Sequence, residues 1–216
     1  SNRVRARTLN IPIPLMGRVK DFTVTPIDIS GVREFIETHH YSGNVNGIRI
    51  AQCFALYNGE PMQWNLIGGM IYGAFGMANA WKKYGESEND VVELRRLCCI
   101  DDTPKNTESY FIGRTLRWLK QNTQFKVVIS YADAHYDHVG TIYKASNFEH
   151  IGMTAKSRVI QFGEKTYHDK TIRTFYTDKY GEKRLKPFAE RVKTALENGD
   201  ARYEERPPKH IYRYRL

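Results

Sequence analysis

Hydrophobic and polar side chains alternate in short runs over the early part of the chain, which is the pattern of half-buried strands. Phe22–Ile29 predicts one such strand. Ile48–Tyr57 and Met62–Phe75 predict a hairpin that turns at Asn58-Gly59-Glu60-Pro61. Because Gly68-Gly69 lies inside the second strand of that hairpin, we expect a bulge or a close backbone approach there.

A first amphipathic helix is predicted after the opening strand. Ser30 is its predicted N-cap, and Val32, Phe35 and Ile36 form its buried face. The polar pair His39-His40 marks its end, because no apolar position continues the helical period.

The centre of the chain predicts a strand, a longer helix and a second strand. Val91–Ile100 and the fully apolar Lys126–Tyr131 are the strands, and the latter is typical of the middle of a sheet. Between them, Glu108 to about Asn122 has one apolar helical face. That face consists of Phe111, Ile112, Thr115, Leu116 and Leu119.

The remaining segments complete a mixed α/β (α+β) pattern. A short helix is predicted at Val139–Ser146, strands near Phe148–Met153 and Val159–Phe162, and a helix at Lys186–Glu197. Strands and helices in this order predict a mixed central sheet of about six to seven strands flanked by helices.

Composition excludes two classes of protein. The chain has 216 residues, 41% hydrophobic and 26% charged, which is typical of a folded protein rather than a disordered one. No apolar run approaches the ~18–20 residues of a membrane span, and no basic, apolar leader is visible. Three cysteines cannot form a disulfide framework, so we expect a reducing cytoplasm and no membrane partner.

The positive charge is concentrated at the two ends of the chain. The net charge is +9; residues 1–20 carry five basic groups and no acid, and residues 170–216 carry thirteen against seven. We therefore predict a basic arm (1–20), a near-neutral domain (21–168) and a basic, aromatic-rich C-terminal extension (169–216). Such ends suit nucleic acid, although a solubilising tail is the alternative. The predicted nucleic-acid contacts are Arg3, Arg5, Arg7, Lys209, Arg213 and Arg215.

The segment around Tyr143 resembles a motif of a known fold. Ile142-Tyr-Lys-Ala-Ser-Asn-Phe-Glu-His-Ile-Gly152 is similar to the Leu-Tyr-x-x-x-Gly-Phe-x-x-x-Gly pattern of acyl-CoA-dependent N-acetyltransferases, the GNAT fold. The order of predicted elements agrees with that fold. The resemblance implies acetyl-CoA or a related acyl donor, with Tyr143 as the acid that reprotonates the leaving thiolate. A tyrosine that only packs its ring is the structural alternative.

The loop that would hold the donor's diphosphate departs from that fold. The usual Gln/Arg-x-x-Gly-x-Gly/Ala turn is replaced by a segment whose only glycine, Gly113, falls inside the predicted helix. Polar residues near the helix start can still bind oxygen atoms or supply positive charge. The candidate cofactor-binding residues are Arg96, Lys105, Thr107 and Ser109.

Five strings together resemble one narrower family. They are His39-His-Tyr-Ser-Gly43, Glu93-Leu-Arg-Arg-Leu97, Pro104-Lys-Asn-Thr-Glu-Ser-Tyr-Phe-Ile-Gly113, Ser130-Tyr-Ala-Asp133 and His138-Val-Gly-Thr-Ile-Tyr-Lys-Ala-Ser-Asn147. In this order they resemble the Mom proteins of bacteriophages, which convert adenine in phage DNA to an N6-carbamoylmethyl derivative and so hide it from host restriction enzymes. The resemblance implies double-stranded DNA as substrate and the cytoplasm of the infected bacterium as location.

That resemblance also implies an active centre. Asp133 follows an apolar strand, so it is predicted at the carboxyl edge of the sheet, where ligands bind in open α/β layers. A carboxylate or imidazole there accepts a proton from adenine N6. Taken alone, an aspartate at this position is more often a helix or turn cap than a catalytic residue. The implied catalytic residues are His40, Tyr41, Asp133 and Tyr143, beside the cofactor residues Arg96 and Ser109.

Iron enters as a cofactor through the same resemblance. His40, Tyr41 and Asp133 offer nitrogen and oxygen donors. His135-x-x-His138 is a second option, but solvent-facing or DNA-contacting histidines explain it as well. Cys98-Cys99 lies within a strand, so the two thiols point to opposite faces and do not chelate one ion together.

Three functional hypotheses follow. The first is a DNA adenine N6-modifying transferase, in which the target base leaves the stack. Trp64, Tyr72 and Trp81 are the candidates for stacking on it, with plain core residues as the alternative for all three. The second is a conventional N-acetyltransferase for a protein, RNA or small amine, which the missing glycine turn disfavours. The third is a non-catalytic DNA-binding protein on the same fold. A homodimer is compatible with the sequence.

Overall fold

The computed structural model of the chain describes residues 15–133 and 140–216. The strands are β1 (Phe22–Ile27), β2 (Ile50–Asn58), β3 (Leu66–Gly73), β4 (Val91–Cys99), β5 (Val127–Ala132), β6 (Glu149–Met153), β7 (Ser157–Phe162), β8 (Lys165–His168), β9 (Phe175–Thr177), β10 (Lys183–Leu185), β11 (Ala201–Arg206) and β12 (His210–Arg215). The α-helices are α1 (Arg33–His39), α2 (Thr107–Asn122), α3 (Thr141–Ala145) and α4 (Pro187–Asn198). Within these described ranges, no helix is long and apolar enough to cross a membrane.

Seven of the described strands form one mixed sheet, in the order β1-β2-β3-β4-β5-β12-β6. Neighbours from β1 to β4 are antiparallel, whereas β4 and β5 are parallel. The predicted mixed sheet of six to seven strands is therefore confirmed. The last strand, β12, stands between β5 and β6, so the end of the chain is part of this sheet.

Helix α1 lies close against the sheet because β3 presents a glycine to it. A Cβ atom on Gly69 would come within 2.9 Å of the Ile36 side chain, so only glycine leaves room for this approach. Val32 and Ile36 pack there with Cys53 and Ile71 of the sheet. The close approach predicted for Gly68-Gly69 is confirmed.

The apolar face predicted for the longer helix is also confirmed. Phe111, Ile112, Thr115, Leu116 and Leu119 are all buried in α2. The Thr115 hydroxyl reaches the sheet, with 2.8 Å between its Oγ1 and the Tyr72 hydroxyl. Tyr72 and α2 therefore mark the face of the sheet that is opposite to α1.

One helix start was predicted wrongly. Ser30 does not cap α1; it lies in a short 3-10 helix, Ile29–Gly31, and α1 follows with Val32 as its N-cap and no side-chain cap bond. The reason is that Gly31 N–H and Val32 N–H donate to Asp28 O and Ile29 O, which tightens the chain before the α-helix begins.

The described residues divide into two compact units. The first contains the described residues up to Ser130, with Thr141–Glu149 and Arg213–Leu216. The second contains the described part of Tyr131–Gly140 together with His150–Tyr212. In this second unit the sheet β11-β7-β8 packs Ile160 and Ala201 against Val192 and Ala195 of α4.

Candidate active site

The parallel strands β4 and β5 separate part of the way along their length. Their paired register is Val91↔Val127, Val92↔Val128 and Glu93↔Ile129, and it ends there although β4 continues to Cys99. Separation of parallel strands towards their carboxyl ends opens a crevice, and such crevices hold ligands in open α/β sheets. We call this opening the β4–β5 crevice.

Ser130 is the first residue of β5 beyond that paired register. It is fully buried, and within the described residues its hydroxyl has no hydrogen-bond partner. Leaving a buried hydroxyl unsatisfied costs roughly 1–3 kcal/mol. Ser130 is therefore a buried donor that the described residues leave unsatisfied, next to the point where β4 and β5 stop pairing.

A β-bulge in β4 shapes the edge of the same crevice. Ile71 faces Arg96 and Tyr72 faces Leu94, so Arg95 is the extra residue of β4. The bulge reverses the alternation of side chains: Leu94 lies opposite Tyr72 on the α2 face, whereas Cys98 packs in the α1 cluster. The bulge therefore changes the directions in which the adjacent side chains of Arg95 and Arg96 point. Strict alternation of side chains along the strand would not have predicted this change.

The bulge places Arg96 beside the loop that follows α1. Its Nε donates to Asn44 O at 3.2 Å and its Nη1 donates to Arg95 O at 2.8 Å. Burial lowers the pKa of Arg96, as does the neighbouring Arg95 charge, while Tyr41 and Glu93 act in the opposite direction. The structure thus brings together two predicted site residues, Arg96 and Tyr41.

Arg95 is anchored differently from Arg96. Its Nη1 donates to Ala74 O at 2.9 Å and lies 3.5 Å from a Glu93 carboxylate oxygen, with both side chains largely buried. This ion pair fixes the bulged residue, so Arg96 is the arginine that remains directed towards the loop after α1.

That loop contains the predicted residues His40 and Tyr41. His40 is buried, and its ring lies 4.3 Å from the ring of the half-exposed Tyr41. The Ser42 N–H donates to His40 Nδ1 at 3.1 Å, and the Ser42 hydroxyl lies 2.8 Å from the same nitrogen. Because Nδ1 accepts, the neutral ring carries its proton on Nε2 and presents a donor there. His40 is therefore arranged to donate a hydrogen bond rather than to remove a proton.

The predicted cofactor residues lie around the start of α2. Thr107 is fully buried and donates from Oγ1 to Pro104 O at 2.7 Å, so its hydroxyl proton holds the loop. Ser109 donates to Asn106 O at 3.1 Å, and Lys105 is exposed. The polar groups are thus grouped at a helix N-terminus, where oxygen anions bind.

Asn106 replaces the glycine that the loop lacks. It is the N-cap of α2 and has φ of 73°, a left-handed conformation that asparagine tolerates better than most residues. The sequence pattern did not single out this residue, because the usual turn of this kind is built from glycines. The available signal was an Asn two residues before the predicted start of the helix at Glu108.

Tyr143 is in α3, which packs against α2. Its ring contacts Phe148 at 5.6 Å. On the same side of the sheet, burial raises the pKa of the Tyr72 hydroxyl well above its ordinary range; the Thr115 hydrogen bond opposes this shift, and Tyr143 adds to it. Tyr72 is completely buried, which agrees with its interpretation as a core residue, whereas Trp64 is exposed.

Asp133 belongs to the second unit and follows β5 directly, as predicted. Its carboxylate lies 2.8 Å from Lys209 Nζ, and its side chain is mostly buried. Arg213 is also engaged, with its Nη2 2.6 Å from Glu149 Oε2, whereas Arg215 is exposed. The predicted residues Arg3, Arg5, Arg7, His135 and His138 lie outside the described residues.

Metal binding depends on how the His, Cys, Asp and Glu side chains of the described ranges are grouped. Among residues 15–133 and 140–216, no three or more His, Cys, Asp or Glu side chains are grouped to hold a metal ion. Cys98 packs in the α1 cluster while Cys99 lies near Gly68, so the two thiols point to opposite faces. Burial raises the pKa of Cys98 to about 12, which leaves it protonated and unreactive at neutral pH.

The strand order and the bulge in β4 define a mixed α/β protein with a seven-stranded central sheet. Within that class the chain belongs to the Mom protein family, whose model matches residues 21–215. It is 29% identical over 158 residues to the methylcarbamoylase Mom of Escherichia phage Mu, a match covering 71% of this chain and 62% of the phage protein. The matched region thus spans less than two thirds of that relative.

Two solved structures are also similar to the chain. The structure of Arabidopsis thaliana NAA60 in complex with acetyl-CoA has a TM-score of 0.49 and 13% identity, and the match covers 90% of this chain and 98% of that one. The aminoglycoside N(6')acetyltransferase from Legionella pneumophila has a TM-score of 0.46 and 13% identity, covering 90% and 92%.

Proposed function

We propose that the chain is a phage DNA-modifying transferase that converts adenine in DNA to N6-carbamoylmethyladenine, in the cytoplasm of the infected bacterium. The observation that carries this proposal is membership of the Mom family over residues 21–215, together with a relative named methylcarbamoylase. The modification would protect phage DNA from host restriction enzymes.

The β4–β5 crevice and the start of α2 support a donor related to acetyl-CoA. Ser130, where β4 and β5 stop pairing, has a buried hydroxyl without a partner among the described residues, and Lys105 offers positive charge at the helix N-terminus. Helix N-terminal N–H groups favour phosphate oxygens without requiring glycines. The residues that would hold such a donor are Arg96, Lys105, Ser109 and Ser130. Thr107, which was also predicted, is fully buried and its hydroxyl holds the loop instead.

The product requires a new bond between adenine N6 and the methylene carbon of a carbamoylmethyl donor, while the bond from that carbon to the donor's leaving group breaks with its electron pair and N6 loses one proton. Arg96 is suited to stabilise the negative charge that develops on the leaving group, because it is partly buried. The Nε2–H of His40 is suited to orient an acceptor atom. Asp133 is the proposed proton acceptor, and Tyr143 the proposed acid for a leaving group.

Iron has no part in the proposed steps. The candidate ligand His40 uses Nδ1 as an acceptor for Ser42, and the described residues contain no group of three or more His, Cys, Asp or Glu side chains that could hold a metal ion. Every proposed step is assigned to side chains of this chain.

DNA as the partner remains part of the proposal. The target adenine must leave the duplex stack, which costs a few kcal/mol and requires compensating contacts. Lys209 and Arg213 already neutralise Asp133 and Glu149, so Arg215 is the most available of these three predicted cations. A homodimer also stays a prediction.

The proposal is tested by expressing the protein with a plasmid, digesting the DNA to nucleosides and measuring their masses. We expect a deoxyadenosine heavier by one carbamoylmethyl group, and none with Asp133→Ala. The exposed Arg33→Gln variant is the control for expression and folding. Acetylation of an amine acceptor with unchanged DNA would support the conventional acetyltransferase, and tight DNA binding without either product would support a non-catalytic protein.

A further inference from the structure

A small hairpin in the second unit displays aromatic side chains to solvent. It consists of β9 and β10, whose register pairs Tyr176 with Arg184 and Phe175 with Leu185. Phe175 is 52% exposed and Tyr176 43% exposed, although both are large aromatic residues. Exposed aromatic side chains grouped on one element indicate a contact surface.

The tip of the hairpin is held by one carboxylate. Asp178 Oδ1 accepts from the N–H groups of Tyr180 at 2.8 Å and Glu182 at 3.0 Å, and its Oδ2 accepts from Arg184 Nε at 2.6 Å. Gly181 supplies the left-handed residue of the turn, with φ of 84°. The tip is therefore ordered by its own hydrogen bonds.

This ordered tip presents Tyr180, whose side chain is 76% exposed. Lys179 Nζ lies 4.9 Å from the centre of the Tyr180 ring, so a cation accompanies the aromatic face. A tyrosine side chain has only two rotatable bonds and loses little conformational entropy on binding, which favours its use as an anchor on an ordered tip.

The charges of the hairpin favour a polyanionic partner. Both of its carboxylates are paired within the hairpin: Asp178 accepts the hydrogen bonds that hold the tip, and Glu182 lies 2.9 Å from Arg184. The exposed cations Lys179, Lys183 and Lys186 remain along the element. Aromatic rings can stack on bases, and lysines neutralise phosphates. Together these groups bind nucleic acid in which a base is not stacked on its neighbours.

We propose that the β9–β10 hairpin is a DNA-contacting element in which the Tyr180 ring stacks on an unstacked base of the substrate DNA, while Lys179 and Lys183 contact phosphates. The inference rests on the proposed function for its substrate and adds an element that binds this DNA.

The test measures binding to two labelled duplexes by fluorescence anisotropy, one intact and one with a single abasic site that interrupts stacking. Tyr180→Ala should weaken binding to the abasic duplex by about 5- to 150-fold, and Tyr180→Phe by no more than about twofold, because stacking on a base needs the ring only. Tyr203→Ala is the matched control, since that exposed ring is already covered by the Arg158 guanidinium at 4.0 Å.

Salt dependence tests the lysines separately. Replacing Lys179 and Lys183 by Gln should each reduce the slope of log affinity against log salt by about 0.9. A fluorescent base analogue beside the abasic site should be quenched by the wild type and by Tyr180→Phe but not by Tyr180→Ala.

The two proposals fail in different ways. If plasmid adenine is modified but Tyr180→Ala binds both duplexes like the wild type, the hairpin proposal is overturned and the proposed function stands. If no modified nucleoside forms but Tyr180→Ala still loses affinity for the abasic duplex, the hairpin contact is supported and the proposed reaction is overturned. Because Tyr180 is at an exposed tip, unchanged thermal unfolding of its variants verifies that they fold.

Discussion

Lys126 and Asp90 connect the first residues of β5 and β4, the two parallel strands that pair only near their starts. Lys126 Nζ lies 2.9 Å from Asp90 Oδ1, and Lys126 N–H donates to Asp90 O at 2.8 Å. Asp90 immediately precedes β4 and Lys126 immediately precedes β5. This double contact fixes the closed end of the β4–β5 crevice.

Removing the Asp90 carboxylate should therefore destabilise the protein in a pH-dependent way. The hydrogen bond from Lys126 lowers the pKa of Asp90, so its stabilising contribution is present above the ordinary aspartate pKa of about 4 and is lost as pH falls through the folded-state value. Asp90→Asn should lower the urea midpoint at neutral pH.

The difference between Asp90→Asn and wild type should shrink on acidification. At the alkaline end, the hydrogen bond to Asp90 raises the pKa of Lys126, so that part of the contribution is lost as pH rises through the folded Lys126 value. Urea unfolding at several pH values checks both limits, with the exposed Asp200→Asn as control. An offset that does not vary with pH would contradict the ion-pair explanation.

The Ser130→Ala substitution should lower activity without lowering stability. Ser130→Ala removes an unsatisfied buried hydroxyl, so the free energy of unfolding should stay constant or rise by about 1 kcal/mol while formation of modified adenine falls. The matched control is Ser146→Ala, which removes a buried hydroxyl that donates to Ile142 O at 2.7 Å and should cost ~1 kcal/mol. A large loss of stability in Ser130→Ala would show that the hydroxyl has a structural role instead.

Arg96 should affect product formation more than folding. Arg96→Gln keeps an amide donor for Asn44 O but loses the charge, and we expect a 10- to 100-fold lower initial rate, equivalent to about 1.5–3 kcal/mol. Arg96→Lys restores the charge without the planar group and should be intermediate. Rates of modified deoxyadenosine formation equal to wild type in Arg96→Gln would remove this residue from the proposed mechanism.

Tyr143→Phe is expected to abolish the product while leaving the fold intact. The ring contact with Phe148 is retained, so unfolding should change by no more than ~0.5 kcal/mol. Tyr214→Phe is a matched control, because Tyr214 contacts the same Phe148 ring at 5.3 Å. Nucleoside mass analysis and thermal unfolding of both variants provide the readouts. Normal product formation by Tyr143→Phe would contradict its role as an acid.

Two glycines should respond to alanine with opposite signs. Gly69→Ala places a Cβ 2.9 Å from Ile36, and overpacking of this kind costs about 1–3 kcal/mol. Gly113→Ala meets no atom within 4 Å on an exposed position of α2, so it should stabilise by about 0.5–1 kcal/mol. Denaturant unfolding of both variants checks the pair. Equal changes in the free energy of unfolding for the two variants would show that the space between α1 and β3 does accommodate a Cβ atom at position 69.

The sequence by itself determined the elements that bury a regular apolar pattern. The α2 face, the apolar strand β5 and the alternating strand β1 were predictable, since burial of one face imposes a fixed period on the residues. Short strings in a fixed order also identified the Mom family, which the match over residues 21–215 confirms. The short strands from β8 to β11 were not predicted, because their residues are largely polar and exposed.

Only the tertiary structure decided which distant residues meet. The bulge at Arg95 depends on pairing with β3, and the ion pair of Asp133 with Lys209 joins residues far apart in the chain. The left-handed Asn106 and the Nδ1 acceptor of His40 are likewise set by local backbone geometry that residue type alone does not specify. Periodicity records which residues are buried, whereas strand register and side-chain partners arise from packing between segments that the sequence separates.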